Sequence, residues 1–455
     1  MYLRSISLRH FRNYHEQRVE FHAPKTILVG NNAQGKSNLL ESVAFLATLG
    51  SARASSDRDL VGNDADMAQI DGEVDRLTGR SELQAVLRRS GRRTVRANGE
   101  TCRRQTDFLG TLNAVEFSCI DIDLVRGTPD YRRRWIDSLI IQLEPIYIYL
   151  LREYGRILKQ RNAVLKQLKH DPSASIAETL PALDHQLAIA GTKVIRRRRR
   201  ALDRLAPLAQ HWHHAIGGAA ETLTIAYRSQ LDQDHLDRTD WDFDPGHRVN
   251  RPDRRQDLGQ VDRTDQLEHQ AHQADPAAQE TPQTTTPATT PATTQAITQT
   301  TGSDDPQRIQ QALLDRLQGD RSAERARGAT LIGPHRDDIE FRIDDYPARH
   351  FGSQGQQRTL VLAIKLAELQ AIETVVGEPP LLLLDDVLAE LDLTRQNHLL
   401  NVIEDRFQTL ITTTHLNAFD AQWLDRSQIL SVDHGLIVPG SSTTPVYPLQ
   451  TSPNP

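Results

Sequence analysis

Gly30-Asn31-Asn32-Ala33-Gln34-Gly35-Lys36-Ser37 fits the phosphate-binding pattern G-x-x-x-x-G-K-[ST] at every position. Thr26-Ile27-Leu28-Val29 before it is a short β-branched and apolar run, and Asn38 to Leu46 after it carries leucines and Phe45 at helical spacing. Strand, loop and helix therefore follow in the order a phosphate loop requires. Glycine allows a turn tight enough for successive N–H groups to converge on one phosphate, and the helix N-terminus adds positive potential there. The loop from Gly30 to Gly35 is the expected cradle for ATP, with Lys36 reaching the β- and γ-phosphates and Ser37 placed to ligate Mg²⁺.

A second set of chemistry-bearing residues lies more than 300 positions on by the numbering. Phe351-Gly352-Ser353-Gln354-Gly355-Gln356-Gln357-Arg358 precedes a pattern that reads as a strongly amphipathic helix over 359–371. Ser353 can cap that helix, and Gly355 frees backbone N–H groups at its positive end; a simple helix cap accounts for the same residues. Leu381 to Leu384 is a buried-strand run ending in Asp385-Asp386, which puts two carboxylates at the carboxyl end of a strand, where open α/β sheets bind ligands. Asp385 is expected to hold Mg²⁺ opposite Ser37, and Asp386 to orient or deprotonate the attacking water. A third strand over 409–414 ends at His415, either a γ-phosphate sensor or a buried structural histidine.

The 455 residues suffice for two or three domains, and a formal charge of −6 gives no global basic signal, so nucleic-acid contact would have to come from local patches. Cys102 and Cys119 are too few for a disulfide framework or zinc site and suit a reducing cytosol. No apolar run approaches the ~20 residues that span a bilayer, so no membrane partner is expected. Around the phosphate loop, strands over 68–74, 83–87 and 94–97 read as a small antiparallel addition whose loop holds Arg88, Arg89, Arg92 and Arg93, a solvated turn or a phosphate contact. The pattern turns helical between about 130 and 228 and includes Arg196 to Arg200, which in a helix would point in every direction, leaving most of them solvated or on a binding surface. Composition then shifts to Asp, Gln, Thr and Pro, with too little apolar surface to offset backbone entropy of ~1–2 kcal/mol per residue. The expected division is an ATPase lobe over 1–128, an inserted helical domain over 129–228, a disordered insertion over 229–305, the second part of the head over 306–440 and a disordered tail over 441–455.

The order of these elements resembles the ABC ATPase superfamily, with Ser353 to Gln357 standing as its signature, Ala389-Glu390-Leu391-Asp392 as its D-loop and His415 as its switch histidine. More closely the chain resembles the RecF family of DNA replication and repair proteins. The residues that carry this are Phe11-Arg12-Asn13-Tyr14, Gly30 to Ser37, Phe117-Ser118 with Asp121 to Gly127, Arg132-Arg133-Arg134, Leu158 to Asn162, Gly333 to Asp338, Ser353 to Arg358, Leu384 to Val387 and Glu390 to Asp392. Cys119-Ile120 stands where that family usually has Pro-Glu. The resemblance implies an α/β fold: an ABC-type P-loop ATPase head with an antiparallel β addition and a mostly helical insertion without a long coiled coil. It implies a cytoplasmic protein that forms an ATP-dependent homodimer, with Ser353 and Gly355 of one copy closing on the γ-phosphate held by the other. It further implies binding to single-stranded and gapped or junction double-stranded DNA, partnership with RecO and RecR in loading RecA, and a part in the SOS response. Asp386 stands where the wider superfamily has glutamate, one methylene longer, so slow, DNA-stimulated ATP turnover is expected; a structural clamp with negligible hydrolysis is the alternative.

Overall fold

The computed structural model describes residues 1–171, 175–217, 221–231, 304–403, 406–419 and 421–439. β1 (Tyr2–Phe11) and β2 (Tyr14–Glu20) form a hairpin, and β3 (Lys25–Val29) runs through the glycine-rich loop into α1 (Lys36–Thr48). β4 (Met67–Arg76), β5 (Gly79–Arg88), β6 (Thr94–Ala97) and β7 (Glu100–Thr101) extend the hairpin into an antiparallel sheet of order β2-β1-β4-β5-β6-β7. β8 (Ala114–Ser118) is followed by α2 (Asp123–Arg126), α3 (Pro129–Leu143), α4 (Tyr147–His170), α5 (Leu180–Gly217) and β9 (Leu223–Arg228). After the insertion come α6 (Pro306–Gly319), α7 (Arg321–Arg327), β10 (Asp338–Ile343), β11 (Tyr346–Pro347), α8 (Ala348–Phe351) and α9 (Gln354–Val376). β12 (Leu381–Asp385), α10 (Leu393–Ile403), β13 (Thr409–Thr413), α11 (Ala421–Asp425), β14 (Ser427–Asp433) and β15 (Leu436–Pro439) complete the chain.

The site rests on the second six-stranded sheet, of order β15-β14-β3-β13-β12-β8, in which every pairing but β14 with β15 is parallel. Parallel strands are covered on both faces, and the run Leu381 to Leu384 shows how: Leu381 and Leu383 enter a core with α1 and the antiparallel sheet, Leu382 and Leu384 a core with α3, α5 and α9. The fold is the mixed α/β ATPase head with its antiparallel addition. Trp135, Leu187, Ile225, Leu362 and Leu384 share a single core, so α3, α5 and β9 pack together with α9 and β12.

Several sequence readings change. The helix expected over 359–371 runs over Gln354–Val376 and is buried all round from Thr359 to Leu369, not amphipathic. Its polar side is used internally: Lys365 pairs with Asp121 at 3.0 Å and with Glu368 at 3.5 Å, and Trp135 donates to Glu368 at 2.6 Å. The arginine run in α5 is not a solvated surface either. Arg198 is buried in a bidentate bond to Asp137, Arg196 and Arg200 pair with Asp304, Arg197 pairs with Glu144, and Arg199 lies over Tyr227. In the β5–β6 loop Arg89 and Arg93 cap backbone carbonyls, Arg93 also pairs with Asp57, and Arg88 bonds Thr94. The insertion expected over 229–305 is ordered at its rims, where Ser229 bonds Asp337 and Asp305 caps α6; its interior and the 441–455 tail fall outside the described residues.

Gly333 to Asp338 and Arg161 tie the helical part together. Arg161 is fully buried and bonds Asp184 at 2.7 Å, Glu324 at 2.6 Å and Thr330 at 2.8 Å. His335 accepts from the Tyr154 hydroxyl at 2.6 Å and donates to the Thr330 carbonyl at 3.2 Å, while Asp338 receives the Arg132 fork. Arg161→Leu takes the counter-charge from buried Glu324 and leaves Asp184 with Arg321 alone, and is expected to cost about 3–5 kcal/mol, read as a lower urea midpoint at unchanged m-value. Burial pulls His335 down to about 4 from an ordinary 6.5, so only the unfolded chain takes up this proton as pH falls between those values. Stability from His335 is complete above 6.5 and is lost as pH drops towards 4; denaturant titrations of His335→Gln are expected to lack this component, on the order of 3 kcal/mol.

Candidate functional site

The phosphate loop leaves β3 and enters α1 under constraints that only its own residues meet. A Cβ on Gly30 would lie 2.3 Å from the Val432 carbonyl oxygen, and Gly35, with φ of 118°, would put one 2.8 Å from Asn13 Nδ2. The turn Phe11–Tyr14 clamps this loop from one side. Asn13 donates to the Gln34 carbonyl at 3.0 Å and accepts from Asn38 at 2.8 Å, Tyr14 donates to the Gly35 carbonyl at 2.9 Å, and Arg12 forks onto Glu41 of α1. The β14–β15 turn holds the other side, with Gly435 N–H donating to the Gln34 carbonyl at 2.9 Å and His434 N–H to its side chain at 2.6 Å.

Because β3, β13, β12 and β8 are parallel, their carboxyl ends share one edge. There the Ser37 hydroxyl donates to Asp385 Oδ1 at 2.7 Å, and the Thr412 hydroxyl donates to the same oxygen at 2.7 Å. The other carboxylate oxygen of Asp385 pairs with Arg53, whose guanidinium also lies 4.0 Å from Glu116. Burial pushes Glu116 up to about 7 against the opposing charge of Arg53. Lys36 donates to the carbonyls of Gly30 at 2.7 Å and Asn31 at 2.8 Å; burial lowers its pKa, opposed by Asp386 and Asp385. The residues fit a magnesium ion in that a hydroxyl and a carboxylate oxygen, both hard oxygen ligands, lie in contact, with Arg53 on the other carboxylate oxygen and not on the one facing Ser37.

Asp386 has φ of 56°, a left-handed conformation that costs a non-glycine residue on the order of 1 kcal/mol or more. Its N–H is held by Thr412 at 2.9 Å, and its Oδ1 is buried with no hydrogen-bond partner among the described residues. An acceptor held in place and left unsatisfied is what a water-orienting carboxylate requires. His415, at the end of β13, is exposed, which removes the buried structural alternative.

The signature lies apart from these groups. Ser353 is exposed and caps α9, its hydroxyl accepting from Gln356 N–H at 3.2 Å while Gln356 returns a bond to Ser353 N–H at 2.7 Å. The Gly355 carbonyl accepts from Arg395, which bonds Asp392 in the D-loop segment and Thr359. Among the described residues the hydrogen bonds of Ser353 and Gly355 run to these neighbours and none to the Gly30–Ser37 loop. Sequence reading missed Arg53 and Thr412, which meet Asp385 only through the fold. It named Phe11–Tyr14 without its role as a clamp.

The family model described as "RecF/RecN/SMC N terminal domain" matches residues 2–434. The protein named "DNA replication and repair protein RecF" of Synechocystis sp. is 50% identical over 441 residues, covering 96% of this chain and 97% of its own. Its namesake in Trichormus variabilis is 51% identical over 442 residues, covering 97% and 100%. A solved structure described as the recombination mediator protein RecF with ATP in the RecFOR pathway superposes with a TM-score of 0.75 at 26% identity, covering 97% of this chain and 98% of that one.

The contact between Ser37 and Asp385 generates a prediction. Asp385→Asn is expected to leave metal-free ATP binding within a few-fold of wild type while the affinity gain on adding Mg²⁺ falls roughly ten- to a hundredfold, measured by calorimetric titration in EDTA and in magnesium. An undiminished magnesium effect would take Asp385 out of the metal site.

Proposed function

The chain belongs to the RecF family of DNA replication and repair proteins, and on that premise we propose that it is an ATP-gated DNA-binding protein whose two copies close around nucleotide. The observation that supports this most directly is the separation of the two half-sites. Lys36, Ser37, Asp385 and Asp386 converge on one sheet edge, whereas Ser353 sits exposed at a positive helix end with no bond to that edge among the described residues. A signature placed this way is free to meet the triphosphate on a second copy.

In this reading the Gly30 to Gly35 amides, from Gly30 through Asn31, Asn32, Ala33 and Gln34, cradle the phosphates. Lys36 turns from the carbonyls of Gly30 and Asn31 to the β- and γ-phosphates, and Ser353 and Gly355 complete the site from the partner subunit. Ser37 and Asp385 hold Mg²⁺, which when bound offsets the charge that develops on the phosphate oxygens. Asp386 orients the attacking water through its unsatisfied oxygen and takes its proton, and His415 stands at the γ-phosphate end. The aspartate is short and its backbone strained, so turnover is slow: ATP binding assembles the pair on DNA at single-strand/double-strand junctions, and hydrolysis releases it. Work with RecO and RecR in loading RecA, and a part in the SOS response, follow from the family alone.

Asp386→Asn and Lys36→Ala separate this from a clamp that does not hydrolyse. Asp386→Asn is expected to lower ATP turnover roughly 10²- to 10⁴-fold while gel filtration still shows dimer with ATP, and Lys36→Ala is expected to lose both. Turnover unchanged in Asp386→Asn would remove that residue from catalysis; a wild type that stays monomeric with ATP would sink the closing pair.

A further inference from the structure

Among the described residues many arginines pair with carboxylates, and the outer face of α4 departs from that habit. Along α4 the inner face carries Tyr154, Ile157, Arg161, Val164, Leu165 and Leu168, all buried. The outer face exposes Arg152, Arg156, Lys159 and Lys166, spaced by four, three and seven residues and so in one line on a helix of 3.6 residues per turn. Lys169 is exposed beside the end of this line. A Cβ on Gly328 would come within 3.3 Å of Lys169 Cδ and 3.6 Å of Lys166 Cα, which sets the end of α7, with its exposed Arg327, against the same stripe.

None of these six cations meets a carboxylate among the described residues. Arg152 donates to the Gln105 side chain at 2.5 Å and Arg156 to Gln160 at 3.4 Å, both neutral partners, while the lysines and Arg327 make no hydrogen bond there. Glu153 is the only acidic residue in the helix. On the inner face of the same helix, by contrast, Arg161 is saturated by two carboxylates. Like charges set in a row repel one another, at a cost to the helix of a few tenths of a kcal/mol per pair. A polyanion laid along the row reverses that cost.

We propose that the outer face of α4, with the end of α7, is a binding surface for the phosphate backbone of double-stranded DNA. The proposal rests on the DNA-binding reading above and assigns it a place. From Arg152 to Lys166 the helix rises about 21 Å at 1.5 Å per residue, which matches about six base pairs of one duplex strand. The face carries point charges and no exposed aromatic side chain, since Tyr147 and Tyr154 are buried and Tyr149 is half-buried. It therefore offers no platform on which unstacked bases could lie, which favours a duplex over a single strand.

The test is fluorescence anisotropy of a labelled blunt duplex of about twenty base pairs with the full chain and ATP, across about 50 to 200 mM salt. Arg156→Gln/Lys159→Gln/Lys166→Gln removes three phosphate contacts and is expected to flatten the slope of log K against log salt by about 2.7, with affinity at 100 mM salt lower on the order of a hundredfold. Arg196→Gln/Arg200→Gln, whose arginines are already paired with Asp304, serves as the comparison and is expected to leave the slope unchanged. A triple variant that unfolds at the wild-type temperature and keeps wild-type affinity and slope overturns the surface. So does an equal loss in the comparison variant, or a loss seen only with single-stranded DNA. If the wild type itself binds no duplex, the DNA reading falls with it, a result distinct from a wild type that binds and a variant that is unaffected.

Discussion

The Ser37 hydroxyl and the Asp385 carboxylate lie 2.7 Å apart although 348 positions separate them in sequence. That contact demands a sheet whose neighbours come from opposite ends of the chain, and the order β3-β13-β12-β8 supplies it, with β13 inserted between the strand of the phosphate loop and the strand of the aspartates. Thr412, on the inserted strand, bonds Asp385 through its hydroxyl and receives the N–H of Asp386, so it fixes the carboxylate of the first aspartate and the backbone of the second. Between Ser37 and β12 the described chain adds only β8 to the sheet, and the rest has to return to this edge without disturbing it. Buried charge does much of that work: Arg161, Arg132, Arg198 and Lys365 each join segments far apart in sequence, and each is held by carboxylates with good geometry. Such pairs add little net stability over apolar packing, yet they penalise any arrangement that leaves a partner stranded.

The parts of the site legible in the sequence are those whose chemistry is local. Gly30 to Ser37 declares its conformation through glycine spacing and its chemistry through Lys36 and Ser37, all within one strand-loop-helix unit. Asp385-Asp386 is readable because a strand of four leucines can only be central and its end must lie at the ligand edge. Arg53 had no such signal. It stands in a loop after α1, and what makes it matter is Asp385, brought to it by a parallel register that no local pattern encodes. The same limit explains the misreading of Arg196 to Arg200 and of the polar residues in α9: a charge run tells how much charge there is, while burial depends on where the opposing carboxylates arrive.

The signature and the phosphate loop of one chain are fastened to a common frame, and this bears on how the proposed pair must close. Gln357, one turn into α9, is held by Arg126, and Lys365 further along is held by Asp121, whose other oxygen receives the N–H of Ser118. Ser118 is in turn the register partner of Asp385 across β8 and β12. With α9 buried over most of its length, this succession of packed and bonded elements leaves little freedom to bend Ser353 towards Lys36 within one molecule. Closure around a triphosphate is therefore cheaper by bringing a second rigid head to the first than by deforming either. A dimer formed in that way places its demands on surface complementarity, and the exposed Ser353 together with Arg395 and Asp392 beside it forms the part of the head that such a partner would meet.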